Sequence, residues 1–212
     1  MTETRALTAK GAATRRRIVE SAADQVLARG VGGTSLDDVG AATRTSKSQL
    51  FHYFPGGKHE LVRAIAQCQG DRVLDAQRSA IDDLGSWESW GRWRDAVIGY
   101  YARTDGVTGC PIGALTSEAA PLDPVLAAQL SAYFRRWAGL LADGVRRMCA
   151  RGLVDDRAEP ELLAVELLAA VQGGLLLSRA EGNLRPLEQA LDGALGHLRA
   201  YAAPPAGSQT PT

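Results

Sequence analysis

Residues Thr34 to Lys58, TSLDDVGAATRTSKSQLFHYFPGGK, leave the chain few ways to fold locally. Ser35 can cap a helix whose apolar positions are Leu36, Val39 and Ala42, with Asp38 three residues on as its capping-box partner. Thr34 competes for the same cap, and the sequence does not choose between them. Thr43 to Thr45 fill a turn. A second helix starts near Ser46 and must end before Pro55, because the residue ahead of a proline avoids helical angles. A helix of about eight residues is too short to be stable alone and has to dock on its neighbours. Leu50 and Phe54, one turn apart, form the docking stripe. Lys47, Ser48, Gln49, Phe51, His52 and Tyr53 are left for the rest of the surface.

Those remaining groups suit a DNA duplex. Lys47 can donate to guanine or phosphate, Gln49 can make the two-bond contact to adenine, and Phe51 can pack on a thymine methyl. Ser48 adds a hydroxyl, and His52, Tyr53 and Lys58 can bond to phosphate oxygens. The free N–H groups at the start of the Leu36 helix offer a second phosphate site. The bland alternative is a solvated polar helix in an ordinary helical protein. Charge distribution favours DNA: the chain is neutral overall, but residues 1–63 carry ten Lys/Arg against six Asp/Glu. Basic charge is thus segregated where phosphate contact would need it. Arg15, Arg16 and Arg17 add to it, although each also fits a solvated helix face.

The same string resembles the DNA-binding signature of the TetR family of bacterial repressors. The matches are Thr34, Ser35, Leu36, Val39, Ser46, Lys47, Leu50, His52, Tyr53, Phe54 and Lys58. A preceding helix from about Thr14 to Arg29, with Ile18, Ala22, Val26 and Leu27 inward and Gly30 at its end, fits the same head. The resemblance implies a duplex operator as partner, read by Thr34, Ser35, Arg44, Ser46, Lys47, Ser48, Gln49, Phe51, His52, Tyr53 and Lys58. Three positions depart from the family pattern. Arg44 replaces the turn glycine and must take a left-handed geometry or reshape the turn. Ser48 replaces the second glycine, and Phe51 replaces the common tyrosine.

Beyond Lys58 helical spacing recurs and no run alternates long enough for a strand, so the chain is expected to be all-α. The reading gives a three-helix DNA-binding domain with a helix-turn-helix over 1–56, a six-helix ligand-sensing and dimerisation domain over 57–203, and a disordered tail over 204–212. The expected sensor helices run from about Gly57 to Asp83, with Gly70 as a possible kink, then from Ser86 to Arg103. A short helix ends at Ala119, and three more span Asp123 to Arg151, Pro160 to Ala180 and Pro186 to Ala202.

All four tryptophans lie in this sensor part. Buried indole N–H and phenol O–H groups need partners, and a largely apolar pocket with a few polar groups is how small-molecule sites are built. Trp87, Trp90, Trp93, Tyr101, Cys110, Tyr133, Phe134, Trp137 and Gln172 are therefore candidate effector contacts, against the alternative that each is core. Trp and Tyr lining points to an aromatic or hydrophobic compound. Residues Gly109 to Gly113, GCPIG, resemble a segment common in one branch of the family. The Cys110 thiol could instead be a redox switch, but no nearby basic residue would depress its pKa.

The Pro160 helix is apolar nearly all round and must be covered on two sides. The family resemblance implies that it and the last helix form a four-helix bundle with a second subunit. Leu168, Val171, Gly173, Leu175, Leu191, Ala194, Leu195 and Leu198 are the expected contacts, with Gly173 and Gly174 allowing close approach. The alternative is the core of a monomer. The apolar run Leu162–Leu177, broken by Glu166 and Gln172, reads as too short to span a bilayer. No apolar leader follows Met1, and three spaced cysteines suit a reducing cytoplasm. No Cys/His pair has metal-ligand spacing, and neither cofactor nor catalytic constellation is expected. The leading function is a ligand-responsive repressor binding palindromic DNA as a homodimer. The alternatives are a helical binding protein or enzyme with a vestigial helix-turn-helix, and an activator on the same fold.

Overall fold

A computed structural model describes residues 7–103 and 109–203. The expected tail at 204–212 and the first part of the 104–113 loop lie outside the described residues. Within them the chain is helical: α1 (Ala9–Arg29), α2 (Leu36–Thr43), α3 (Lys47–Tyr53), α4 (Gly57–Asp75), α5 (Arg78–Asp82), α6 (Trp87–Arg103), α7 (Pro111–Glu118), α8 (Pro124–Ala150), α9 (Pro160–Glu181) and α10 (Arg185–Arg199). A 3-10 turn at Ala120–Leu122 precedes α8. The one extended pairing described is a single bridge between Val154 and Ala202.

The chain divides into two compact units: Met1–Arg72 with Pro111–Ser131, and Val73–Cys110 with Ala132–Thr212. The first unit contains the head. Thr8 caps α1, which therefore starts earlier than Thr14, and Gly30 ends it by donating to the Val26 carbonyl. Ile18, Val19, Ala22 and Ala23 of α1, Val39, Leu50 and Phe54, and Leu61, Val62, Ile65 and Ala66 of α4 are all buried. Two arginines of the Arg15–Arg17 triplet are tied to groups of the head, with Arg15 half-buried and Arg17 exposed. The Arg15 guanidinium lies 4.9 Å from the Phe54 ring centroid, and Arg17 Nη1 donates to the Thr43 carbonyl at 2.7 Å.

The expected helix over 57–83 is two helices, and Gly70 does not interrupt it. The break falls at Gln77, whose side chain is fully buried. Its Nε2 donates to the Val73 carbonyl at 3.0 Å, taking the acceptor that the Gln77 backbone N–H would use to continue α4. That N–H bonds instead to the Leu74 carbonyl. A side-chain amide in place of the backbone donor thus ends the helix.

In the second unit α9 and α10 form an antiparallel hairpin. An added Cβ at Gly174 would sit 2.7 Å from Leu187 Cα, so only glycine lets the two backbones approach this closely. Ser178, fully buried, accepts from the Leu187 N–H through its Oγ at 3.2 Å. His197 Nδ1 and a Glu166 carboxylate oxygen lie 2.8 Å apart across the pair. The whole of α9, longer than the apolar run Leu162–Leu177 within it, has the length and composition of a membrane-crossing helix, at 22 residues with hydropathy 1.6, a test that a buried core helix also passes. One side of it is spent against α10: Leu167, Leu168, Val171, Gly174 and Leu175 are buried.

Candidate nucleic-acid interface and effector site

Both helices of the helix-turn-helix carry complete capping boxes. Ser35 Oγ accepts from the Asp38 N–H at 3.1 Å, and an Asp38 carboxylate oxygen accepts from the Ser35 N–H at 2.9 Å. The Ser35 hydroxyl, which donates to the same carboxylate at 2.6 Å, and then the Ser35 N–H lower the pKa of the Asp38 carboxyl from its ordinary value. Ser35 is thus the cap that the sequence left undecided. Thr34 is buried, and its hydroxyl donates inward to the Gly30 carbonyl at 3.0 Å. It does not present a side chain to the outer surface.

The turn is closed from within. Thr43 and Thr45 are buried, and the Thr43 hydroxyl donates to the Val39 carbonyl at 2.7 Å. Arg44 carries the left-handed geometry, with φ 51 and ψ 42, so the turn keeps its shape without a glycine. Gly40 is the tight point: a Cβ there would meet the Thr45 carbonyl oxygen at 2.9 Å.

Ser46 caps α3 and Gln49 closes the box, with Gln49 Oε1 accepting from the Ser46 N–H at 3.2 Å. Leu50 and Phe54 point into the head, 2% and 1% exposed. That leaves Arg44, Ser46, Lys47, Ser48, Gln49, Phe51 and His52 exposed on one continuous outer surface, with Tyr53 half-buried beside them. Phe51, at 42% exposure, is a large apolar ring facing outward, and the His52 and Tyr53 rings meet edge to face at 5.1 Å. Lys47 Nζ lies 3.9 Å from an Asp37 oxygen, both well exposed, a pairing too solvated to compete with phosphate. Gln49 is the exception among these groups: its carbonyl oxygen is already committed to the cap.

Lys58 is half-buried and lines a cleft of about 250 Å³ with His59, Val62, Val31, Glu118 and Leu122. Sequence reasoning missed the groups that build this cleft. Glu118 accepts from the Val31 N–H at 2.8 Å. Asp123 takes both Nε and Nη2 of Arg63 at 2.9 Å while accepting from the Val125 and Leu126 N–H groups. Those bonds, led by Arg63, pull the Asp123 carboxyl down to about 2. Asp123 was legible as the α8 cap, but its partner lies 60 residues away.

In the second unit the effector candidates fall into two groups. Trp90 and Trp93 stack edge to face at 5.6 Å, fully buried, with both indoles satisfied. Trp90 Nε1 donates to Met148 Sδ at 2.8 Å, and Trp93 Nε1 to Gln77 Oε1 at 3.0 Å. Trp87 is half-buried under the Arg199 guanidinium, beside a groove of about 310 Å³ that Arg94 and Asp192 also line. The second group is Tyr101, Cys110, Tyr133, Phe134 and Trp137. The Tyr133 ring lies 5.9 Å from Phe134 and 6.1 Å from Trp137. Burial, and then the neighbouring Cys110 thiol and the Tyr100 and Tyr133 phenols, push the Tyr101 phenol well above its ordinary pKa. Cys110 is 7% exposed. Gln172 is half-buried on α9.

Of the expected subunit contacts, Leu168, Val171, Leu175, Leu191 and Leu198 are buried within the chain, Ala194 and Leu195 are half-buried, and Gly173 is open. The large apolar residues left exposed on α9 are Leu162, Val165, Leu176 and Leu177. Their spacing with Ala169 and Gly173 is helical, a signal the sequence carried but which the inward leucines masked.

Two family models match the chain. Residues 18–65 match the model of the bacterial regulatory proteins of the tetR family. Residues 90–192 match the C-terminal domain of LmrA/YxaF-like transcriptional regulators. An uncharacterised HTH-type transcriptional regulator of Mycobacterium tuberculosis is 33% identical over 184 residues, covering 82% of this chain and 88% of its own. The HTH-type transcriptional repressor DhaR of a Mycobacterium species is 28% identical, covering 84% of this chain and 88% of its own. A TetR regulator from Chloroflexus aurantiacus has the same fold, with TM-score 0.79 at 24% identity over 92% of this chain and 98% of its own. AibR, solved with isovaleryl coenzyme A and operator DNA, gives TM-score 0.65 at 25% identity over 87% of this chain and 97% of its own. The chain belongs to the TetR family of bacterial transcriptional regulators.

Proposed function

We propose that the chain represses transcription as a homodimer on an operator of two-fold symmetry and is released by a small hydrophobic or aromatic effector. The observation that carries this is α3: a capped, docked helix whose outer side is Lys47, Ser48, Gln49, Phe51 and His52, all exposed. So short a helix reads few base pairs, and two copies spaced one duplex turn apart, about 34–36 Å, supply the missing affinity. DhaR is named a repressor, and AibR was captured with both an acyl-coenzyme A and its operator, which supports partners of these kinds. The exposed stripe Leu162, Val165, Leu176 and Leu177 on α9 is the surface offered to the second subunit, with the buried leucines supporting it from beneath. Effector contacts centre on Tyr101, Cys110, Tyr133, Phe134 and Trp137, and GCPIG, whose Pro111 begins α7, supports membership of the family branch noted above. Displacement of α4, which leads out of the head, changes the separation of the two α3 helices. The site of action is the cytoplasm, where the operator is.

The test is a gel shift with the intergenic DNA upstream of the protein's own gene. Specific retardation that falls steeply with salt is expected, and binding no tighter than to random duplex would remove the reading. Coupling between sites is reciprocal. A compound that weakens operator binding by some factor must itself bind more weakly, by that factor, when operator is present.

A further inference from the structure

Three indoles are buried to 1% exposure or less, and two of them have acceptors: Met148 Sδ for Trp90 and Gln77 Oε1 for Trp93. The third, Trp137, is 0% exposed, and among the described residues its Nε1 has no hydrogen-bond partner. The same deficit recurs on α9, where the buried Gln172 Nε2 has no acceptor among the described residues. Both groups are donors. A buried N–H left unmade is costly, and native chains rarely keep one without a use. The surroundings of Trp137 are aromatic: Tyr133 faces it edge to face, and Phe134 lies beyond Tyr133. A wholly apolar effector would leave the indole N–H as unsatisfied as before. An effector with an oxygen acceptor on an otherwise apolar, ring-sized body would satisfy it in surroundings where water does not compete.

We propose that the effector is a hydrophobic ketone, aldehyde, quinone or ester whose carbonyl oxygen accepts from Trp137 Nε1, so that this indole selects acceptor-bearing compounds over their hydrocarbon analogues. The inference rests on the effector reading above and narrows it to a chemical class. It also separates the tryptophans by role: Trp90 and Trp93 hold the core, and Trp137 reads the ligand.

The test uses 1-acetonaphthone and 1-ethylnaphthalene, which have nearly the same shape and differ by a carbonyl in place of a methylene. Their binding to the full-length protein is followed by tryptophan fluorescence and by proton–nitrogen spectra of nitrogen-labelled tryptophan, with lines assigned from single Trp→Phe variants. In the free protein the Trp137 indole proton should resonate upfield of the hydrogen-bonded Trp93 proton. Acetonaphthone should move it downfield and bind about tenfold more tightly than ethylnaphthalene. Trp137→Phe should abolish that preference. A Trp137 proton already at a hydrogen-bonded position in the free protein would overturn the proposal, whether or not the variant folds. So would equal affinity for the two probes, or a preference that survives in Trp137→Phe. If neither probe binds up to its solubility limit while the Trp137 line lies upfield, it is the aromatic-effector reading that fails, and this proposal with it.

Discussion

Arg44 holds φ 51 and ψ 42, a conformation that costs an L side chain roughly 1–2 kcal/mol relative to the right-handed one. Its side chain is exposed, so nothing inside the head depends on it. Arg44→Gly relieves the strain but frees the unfolded backbone, and the two effects partly cancel. The expected net gain is about 0.5–1 kcal/mol, read as a higher urea midpoint. A loss of stability would show that the arginine has a partner in the folded head. Asp123 provides a pH test. Its carboxyl titrates near 2 in the folded chain and near 3.9 when unfolded. A depressed carboxylate pKa stabilises above the unfolded value and loses that effect as pH falls through the folded one. The stability difference between the protein and its Asp123→Asn variant should therefore be constant from neutrality to about pH 5 and shrink towards pH 2. A constant gap down to pH 2 would contradict the Arg63 pairing as its source. Arg44 was legible because its alternatives were local. The Arg63 pair was not, since nothing near Asp123 points 60 residues back.

Helix α3 sets a conflict between structure and readout. Gln49 Oε1 closes the capping box, so a two-bond contact to adenine requires it to leave the Ser46 N–H. Gln49→Glu separates the two roles, since glutamate serves equally as a capping-box partner but cannot donate. The variant should keep its thermal midpoint while reordering operator variants by about 1–3 kcal/mol at one base pair. An unchanged order would leave Gln49 as a cap and no more. Helix α9 allows a similar separation. Leu176 is 68% exposed and Leu198 fully buried. Leu176→Glu should give a folded monomer by light scattering and circular dichroism. Leu198→Glu should lose helix signal as well, because its charge enters the chain's own core. A dimer that persists in Leu176→Glu would move the interface elsewhere. Helix positions and caps were legible at this scale because capping and periodicity are local. The end of α4 was hidden because a buried glutamine side chain ends it, a tertiary event.

For the whole molecule, charge is divided as the work is divided: the first 63 residues carry ten Lys/Arg against six Asp/Glu, and the rest of the chain carries the compensating acidic excess. Operator affinity should accordingly drop at least a thousandfold between about 50 and 200 mM salt if each dimer makes about six phosphate contacts or more, whereas effector affinity, measured on apolar probes, should barely change. A parallel loss in both would mean that salt acts on the fold. The regulator class was readable from a single string because DNA chemistry demands particular side chains on one short helix. Effector chemistry was not, because it depends on which buried donors find acceptors, and that is settled only by packing. Helix α9 has a further consequence for biogenesis. The ribosome makes it before α10, so an apolar stretch with the length and composition of a membrane-crossing helix emerges before its hairpin partner exists. Folding is then a race between closure of the hairpin and capture by targeting factors, chaperones or another nascent chain. The 2.7 Å approach at Gly174 makes that closure sensitive to one methyl group. Gly174→Ala should therefore lower the yield of dispersed protein in cells by more than its effect on the purified fold explains.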